Sequence, residues 1–186
     1  MIAIGFGHRS RMGKDTAANI TLDILRQRLP KAKIGRANFA DKIKQICYDL
    51  YRHHGIMPAG YYDQYPEKRN EILPSLGMSP VSLWIKIGTP MFRDSIHVDT
   101  WVDYVIHSNR SLDFLVIGDV RFENEISGIR RHGGAVCKIE RSSIPLRDSV
   151  ADNALAHYTD WDWEIKDLSL EATRISLEVF TERYIK

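Results

Sequence analysis

The sequence predicts an α/β fold in which helices cover both faces of a central parallel sheet of about five strands. Short apolar runs alternate with segments of helical spacing along the 186 residues, and this alternation is typical of parallel sheets. Two of the runs, at residues 2–7 and 113–122, end in glycine or in charge, as buried parallel strands do. The length suits one core, so we expect residues 1–186 to form a single domain.

Each element follows from the spacing of its apolar side chains and from the residues that end it. The strands are predicted at residues 2–7, 32–40, 113–122, 135–141 and 163–166. The helices are predicted at residues 14–29, 41–55, 79–96, 99–109, 123–133 and 169–185. Pro30 and Gly55 end the first two helices, and Asp41 is a candidate cap for the second. We expect the helix over 79–96 to break at residues 88–90, which include a glycine and a proline.

Two segments show no strong period. Residues 56–80 contain several Pro, Gly and Tyr residues and one short helical stretch, at 66–73. We expect a mobile flap here, within a lid or substrate-binding insertion over residues 56–98. Residues 142–153 are predicted to be a loop.

Composition and charge exclude several classes of function. The net charge is only +2, so nothing requires a nucleic-acid partner, although a local cluster could bind a small anion. Cys47 and Cys137 are far apart in sequence, which argues against a disulfide framework or a zinc site. No apolar stretch has membrane-spanning length, and the run at 2–7 is too short for a signal peptide. We therefore predict a cytoplasmic protein with reduced thiols and no membrane partner.

Residues 7–16, "GHRSRMGKDT", meet most of the demands of a phosphate-binding loop. The usual pattern is G-x-x-x-x-G-K-[ST]. Gly13 and Lys14 match it, whereas His8 replaces the first glycine and Asp15 replaces the hydroxyl residue. The segment follows a predicted strand and opens a predicted helix, which would direct backbone N–H groups and the helix dipole at an anion. This order favours phosphate binding over a solvated polar loop.

Both departures from the pattern are compatible with such a loop. Histidine is one of the few non-glycine residues enriched at positive φ, so His8 can occupy the first position. The carboxylate of Asp15 is a hard oxygen ligand that could hold Mg²⁺ directly or through a water. Thr16 keeps a hydroxyl able to donate to a phosphate oxygen. We expect Lys14 to face solvent and ligand.

A second constellation is "VIGDVRFENE", residues 116–125, at the end of a predicted strand. Asp119 could position Mg²⁺ through a water or accept bonds from a substrate. Arg121 suits bidentate contact with phosphate, and Glu125 would complete a cluster near the loop. A local ion network that caps the following helix explains the same residues equally well.

A third segment, "KIGTPMFRDSIHVDTWVDY", covers residues 86–104. Gly88 and Thr89 offer backbone and hydroxyl donors, Arg93 offers a charge, and Trp101 offers a stacking surface. The residue types alone favour core aromatics and a surface arginine, so this segment does not indicate a site by itself.

Together these motifs resemble the phage-type deoxynucleoside monophosphate kinases, a family of P-loop kinases of the adenylate kinase type. The motifs that carry the resemblance are "GKDT" (13–16), "FADKIK" (39–44), "IGTPMFR" (87–93) with "DTWV" (99–102), and "DVRFENEISGIRRHGG" (119–134). Their order and spacing follow the family from the N-terminus to residue 141 or so. The family carries an aspartate at the position of Asp15.

The resemblance implies a three-layer α/β/α kinase that uses ATP and Mg²⁺ to phosphorylate a deoxynucleoside 5′-monophosphate. It implies catalytic roles for Lys14, Asp119 and Arg121, with Asp15 as a metal ligand. The implied ATP-binding residues are Arg9, Ser10, Arg11, Met12, Gly13, Lys14, Asp15 and Thr16. The implied substrate-binding residues are Phe39, Ala40, Lys42, Arg69, Gly88, Thr89, Arg93, Trp101, Asp119, Arg121 and Glu125. It also allows a homodimer, and the host cytoplasm as the location if a phage encodes the chain.

Three questions stay open at the level of sequence. Arg141 and Arg147 follow the fourth predicted strand, and by location they could meet the ATP phosphates or stack on adenine. Another small-molecule kinase of the same fold, of the dephospho-coenzyme A or phosphomevalonate kinase type, would share the loop but not the substrate motifs. A non-catalytic nucleotide-binding regulator is the other alternative, although no Asn-Lys-x-Asp guanine motif is present.

Overall fold

A computed structural model describes residues 1–145 and 150–185. The chain divides into two compact units. Met1–Asn38 and Val102–Lys186 form the first, which we call the sheet unit, and Phe39–Trp101 form the second, which we call the helical unit. The prediction that the whole chain behaves as one domain stays a prediction.

The sheet unit contains a five-stranded sheet in which every neighbouring pair is parallel. The strands are β1 (Ile2–Gly7), β2 (Ile34–Ala37), β3 (Phe114–Val120), β4 (Ala135–Glu140) and β5 (Trp163–Lys166). Their order across the sheet is β2-β3-β1-β4-β5, which places β1 at the centre. The predicted α/β fold with a parallel sheet is therefore confirmed, although β2 is shorter than the run at residues 32–40.

Eight α-helices occur in the described residues. They are α1 (Lys14–Arg28), α2 (Ala40–Tyr51), α3 (Ala59–Gln64), α4 (Pro80–Lys86), α5 (Thr100–Ser108), α6 (Glu123–Arg131), α7 (Val150–Asn153) and α8 (Leu170–Glu182). Two 3₁₀ turns, Arg52–His54 and Pro66–Asn70, and a π-helix, Ile87–Asp94, complete the set. In residues 1–145 and 150–185, no helix is long and apolar enough to cross a membrane.

The side chains of β1 alternate between the two faces of the sheet, and helices pack against both faces. Ile4 and Phe6 join the core formed with α1 and α8, which includes the fully buried Phe180. Gly5 points to the opposite face, where its Cβ position lies 2.6 Å from Cδ1 of Ile129 in α6. The loop that joins β1 to α1 is therefore flanked on both sides by elements packed into the core.

The predicted break near residues 88–90 takes the form of a change in helix type, since α4 ends at Lys86. The chain continues from α4 directly into the π-helix Ile87–Asp94, with Pro90 inside it. Proline lacks the N–H that an α-helix needs and its ring clashes with the preceding turn. The wider turn of the π-helix accommodates the proline ring.

The prediction that Asp41 caps α2 is also wrong. The helix begins at Ala40, so Asp41 lies inside its first turn, and the capping position is Phe39, whose side chain makes no capping bond. A carboxylate in the first turn still interacts favourably with the helix dipole. The predicted capping residue, Asp41, therefore lies two residues after the observed capping position, Phe39.

Short helices account for the other differences. Helix α3 lies in the irregular segment 56–80, and α7 occupies the end of the predicted loop over 142–153. The stretch predicted as helical at 66–73 forms only a 3₁₀ turn. Helices of four to six residues are too short to show an apolar period.

Both cysteines are free and buried, as the sequence predicts. Burial raises the pKa of the Cys47 thiol to about 11 and raises that of Cys137 further. Both thiols therefore stay protonated at neutral pH and act as small apolar side chains.

A glycine between α6 and β4 offers a test of the close packing at the sheet. The Cβ position of Gly134 lies 2.1 Å from the backbone oxygen of Ala3, which cannot rotate away. We expect Gly134→Ala to lower the free energy of unfolding by about 1–3 kcal/mol in chemical denaturation. Gly60 in α3 has open space at its Cβ position, so Gly60→Ala is the control and should be neutral or slightly stabilising. Equal losses in the two variants would contradict this account.

Candidate functional site

The loop between β1 and α1 contains three residues with left-handed backbone. His8, Arg11 and Gly13 have φ angles of 93°, 65° and 94°. Left-handed residues that alternate with ordinary ones turn successive N–H groups toward one concave side. The prediction that His8 tolerates positive φ is confirmed. Burial, and then the charges of Lys138 and Arg9, lower the pKa of His8 to about 4, so its ring is neutral at pH 7.

Lys14 is held beneath this loop. Its side chain is only 6% exposed, and Nζ donates to the backbone oxygen of Arg9. The expectation that Lys14 faces solvent is therefore wrong, because the ammonium group turns back into the loop. Burial, and then the nearby charge of Arg121, lower its pKa from 10.5 to about 7, although Asp119 acts in the opposite direction.

Asp15 forms an ion pair that was not expected. Its Oδ1 accepts a hydrogen bond from Nη2 of Arg36 in β2, and Nη1 of the same guanidinium donates to Oδ1 of Asn19 at 2.6 Å. The Asp15 side chain is nevertheless 81% exposed. The close approach is possible because β3 has a glycine beneath it: the Cβ position of Gly118 is 3.1 Å from Arg36 Nη2.

Arg121 contacts the same loop from the end of β3. Its Nη1 donates to Oγ of Ser10 at 3.0 Å and to Oδ1 of Asp152 at 2.7 Å. The backbone N–H of Ser10 also donates to Oδ1 of Asp152, at 2.8 Å. Asp152 lies in α7 and is only 3% exposed. The expected proximity of Arg121 to the loop is therefore present, with Asp152 as a further member.

Glu125 has a different position from the one predicted for a ligand contact. Its Oε2 accepts hydrogen bonds from the backbone N–H groups of Arg121, at 2.6 Å, and Phe122, at 3.1 Å. The side chain is 6% exposed at the first turn of α6. This geometry favours the interpretation in which Glu125 caps the helix. Asp119, by contrast, lies near Lys14 and raises its pKa.

Arg141 reaches the other side of the loop. Its Nη1 donates to the backbone oxygen of Leu168 at 2.9 Å, and its Nε lies 3.5 Å from the Cβ position of Gly13. The side chain of Met12, 2% exposed, packs beneath the loop, and its sulfur accepts from the Arg141 N–H at 3.4 Å. Arg141 therefore lies beside the loop, and its contact with ATP stays a prediction, whereas Arg147 lies outside the described residues.

The helical unit contains the other predicted substrate residues. Trp101 is 7% exposed, its Nε1 donates to the backbone oxygen of Gly88 at 2.7 Å, and its ring packs 5.2 Å from Phe92. These contacts favour the interpretation of Trp101 as a core aromatic residue. Arg69 donates from Nε to the backbone oxygen of Pro66 at 2.9 Å. The remaining members are Phe39, Ala40 and Lys42 at the start of α2, and Thr89 and Arg93 in the π-helix.

Sequence reasoning missed Arg36 and Asp152. Arg36 lies in the middle of the strand predicted over 32–40, and only the shorter observed β2 (Ile34–Ala37) places it near the carboxyl end, where ligands bind in open parallel sheets. Asp152 carried no local signal, because α7 is four residues long and is distant in sequence from the loop it contacts.

Comparison with known proteins gives one relevant similarity. No protein-family model matches the chain. The three-layer α/β arrangement is consistent with a fold of the P-loop kinase type. The chain is 26% identical over 165 residues to a protein of Acanthamoeba polyphaga mimivirus, and the match covers 80% of this chain and 79% of that protein. The viral protein carries the name "Putative deoxynucleotide monophosphate kinase".

The burial of Lys14 predicts how stability depends on pH. Its folded-state pKa of about 7 lies below the ordinary value of 10.5, so the unfolded chain binds more protons between those values. Its contribution to stability therefore rises with pH across that window. We expect Lys14→Met to raise the free energy of unfolding by roughly 1–3 kcal/mol near pH 7, with a smaller gain at pH 9. Urea denaturation at both values measures this.

The control for that experiment is Lys31→Met, because Lys31 is exposed. This variant should match the wild-type protein at both pH values. A Lys14→Met protein less stable than the wild type would show that the ammonium group stabilises the loop instead of straining it.

Proposed function

We propose that the chain is an ATP- and Mg²⁺-dependent deoxynucleoside monophosphate kinase. It would transfer the γ-phosphoryl group of ATP to a deoxynucleoside 5′-monophosphate, giving the diphosphate and ADP. The observation that carries the proposal is Lys14, buried beneath a loop with left-handed residues that Arg121 also contacts. The name of the viral relative supports the same class of activity.

The donor side of the reaction follows from the charges at the loop. The N-terminus of α1 and the loop N–H groups suit the phosphates of ATP. Lys14 and Arg121 would neutralise charge on the group in transfer, and Arg9, Arg11, Thr16 and Arg141 are the proposed further contacts. Since the acceptor is already an anion, the reaction needs positioning and charge neutralisation more than a strong base.

Mg²⁺ fits the donor set at this loop. The carboxylates of Asp15 and Asp119 provide hard oxygens, and both lie close enough to Lys14 to affect its pKa. In the part of the chain that the structure describes, no group of three His, Cys, Asp or Glu side chains forms a protein-only metal site. A Mg²⁺ ion here would be held by one or two carboxylates and by substrate phosphates, and it would supply neutralisation of phosphate charge.

The acceptor side is proposed from the resemblance. Arg69 and Arg93 are the candidate phosphate-binding side chains of the helical unit. Gly88 and Thr89 would contact the nucleotide, and Trp101 would act by holding the Gly88 carbonyl, since its ring is buried. Residues 56–98 would form the insertion that excludes water, which otherwise competes as an acceptor.

A substrate panel tests the proposed reaction. With ATP and Mg²⁺, the purified chain should produce ADP in the presence of deoxynucleoside monophosphates, as measured by a coupled assay and by chromatography of the products. The same panel should contain dephospho-coenzyme A and phosphomevalonate. Turnover with one of these and with no deoxynucleotide would refute the substrate assignment, and tight ATP binding without any turnover would favour a regulator.

Substitutions at the loop test the catalytic assignment. We expect Lys14→Met to lower kcat/KM by at least ~100-fold while the protein stays folded, because a charge-stabilising donor is lost at the transferred group. Arg121→Gln should also lower turnover, and its separate effects on the KM values for ATP and monophosphate would assign it to one side. Lys31→Met is the control. Wild-type turnover in Lys14→Met would remove the loop from the mechanism.

A further inference from the structure

The carboxylate of Asp152 lies at a place where an anionic ligand would be expected. Its Oδ1 accepts from the Ser10 N–H of the loop at 2.8 Å and from the Arg121 guanidinium at 2.7 Å. The side chain is 3% exposed, so water does little to solvate its charge. One oxygen of a buried carboxylate therefore accepts hydrogen bonds from a loop N–H group and from a guanidinium group.

The two donors are of the kinds that recognise phosphate. Backbone N–H groups before a helix and arginine side chains both form short, charge-assisted bonds to phosphate oxygens. A carboxylate oxygen accepts such bonds in the same geometry. The Asp152 oxygen is thus chemically equivalent, for these donors, to one oxygen of a bound phosphate.

The charges around the loop explain why an internal anion is needed in the absence of ligand. Arg121 lies near enough to Lys14 to lower its pKa, which means that the two cations repel each other. Asp152 lowers that repulsion, since it pairs with Arg121 and also favours the protonated form of Lys14. Asp119 also compensates Lys14, but Asp152 is the carboxylate that forms an ion pair with the partly exposed Arg121 guanidinium in the ligand-free protein.

We propose that Asp152 is an internal competitor that occupies part of the phosphate site in the ligand-free protein and is displaced when a polyphosphate binds. The inference deepens the proposed function and rests on its phosphate-binding loop. Ligand binding would then exchange one anion for another at Ser10 and Arg121. The affinity for phosphates would be set partly by the cost of releasing this carboxylate.

The test is the binding of inorganic tripolyphosphate to the full chain, measured by isothermal titration calorimetry at fixed ionic strength. Asp152→Asn keeps the shape and the acceptor oxygen but removes the charge. We expect it to bind tripolyphosphate about tenfold more tightly than the wild type, because neutral acceptors make weaker bonds to these donors. The ligand-free variant should also have a lower Tm, since Arg121 loses its charged partner.

A matched control separates competition from a general change in charge. Asp160 is also paired with an arginine, Arg130, through a 2.7 Å contact, in the same unit. Asp160→Asn should leave tripolyphosphate affinity unchanged. In a double-mutant cycle, the gain from Asp152→Asn should shrink when Arg121 is replaced by Gln, whereas a long-range charge effect would persist at full size.

The wild-type protein supplies a measurement that does not depend on any variant. The carboxyl ¹³C resonance of Asp152 should shift when tripolyphosphate saturates the protein, because the carboxylate leaves its donors. Unchanged or weaker binding in Asp152→Asn, or an unmoved resonance at saturation, would overturn the inference alone. Failure of the wild type to bind tripolyphosphate would overturn it together with the phosphate loop of the proposed function.

Discussion

The buried ammonium group of Lys14 is the constraint around which the carboxyl edge of the sheet is arranged. A cation that is 6% exposed must be compensated, and the surrounding elements each supply part of this. The loop provides the Arg9 carbonyl, β3 provides Asp119, and α7 provides Asp152. Strands β1 and β3 pair from Ile2 and Phe114 to Gly7 and Val120, with a register shift between Gly5 and Gly7, so the segment that carries Asp119 ends beside the loop.

Backbone strain also occurs in the loop around Lys14, which contains two of the three non-glycine residues with left-handed backbone in the described chain, the third being Asp167. His8 and Arg11 have left-handed backbone, which costs non-glycine residues about 1–3 kcal/mol each. Lys14 adds the cost of burying a charge. The core between the sheet, α1 and α8 offsets these costs from a distance, since it contains fully buried side chains such as Phe6 and Phe180. Such a division between a strained loop and a stable scaffold is common at binding sites.

The sequence allows much of the frame to be predicted and less of the site. Strand β5 matches its predicted bounds, and α1 begins at Lys14 as expected, because apolar period and flanking residues are local signals. The contacts of Asp152 with Ser10 and Arg121 join residues more than a hundred and about thirty positions apart. No local pattern encodes them. The burial of Lys14 was missed for a related reason: it depends on how the loop folds back over the side chain.

Asp15 replaces the hydroxyl residue of the usual phosphate-loop pattern, and the structure shows which group its carboxylate contacts. Its carboxylate is paired with Arg36, much as Asp152 is paired with Arg121. The described charged groups in or beside the loop include three carboxylates, Asp15, Asp119 and Asp152, and more cations, namely Arg9, Arg11, Lys14, Arg36, Arg121 and Arg141. Two of these cations are already paired, Arg36 with Asp15 and Arg121 with Asp152. Under the proposed function a phosphate ligand would compete with these two ion pairs, so the geometry of that exchange would contribute to ligand selection beside the excess positive charge.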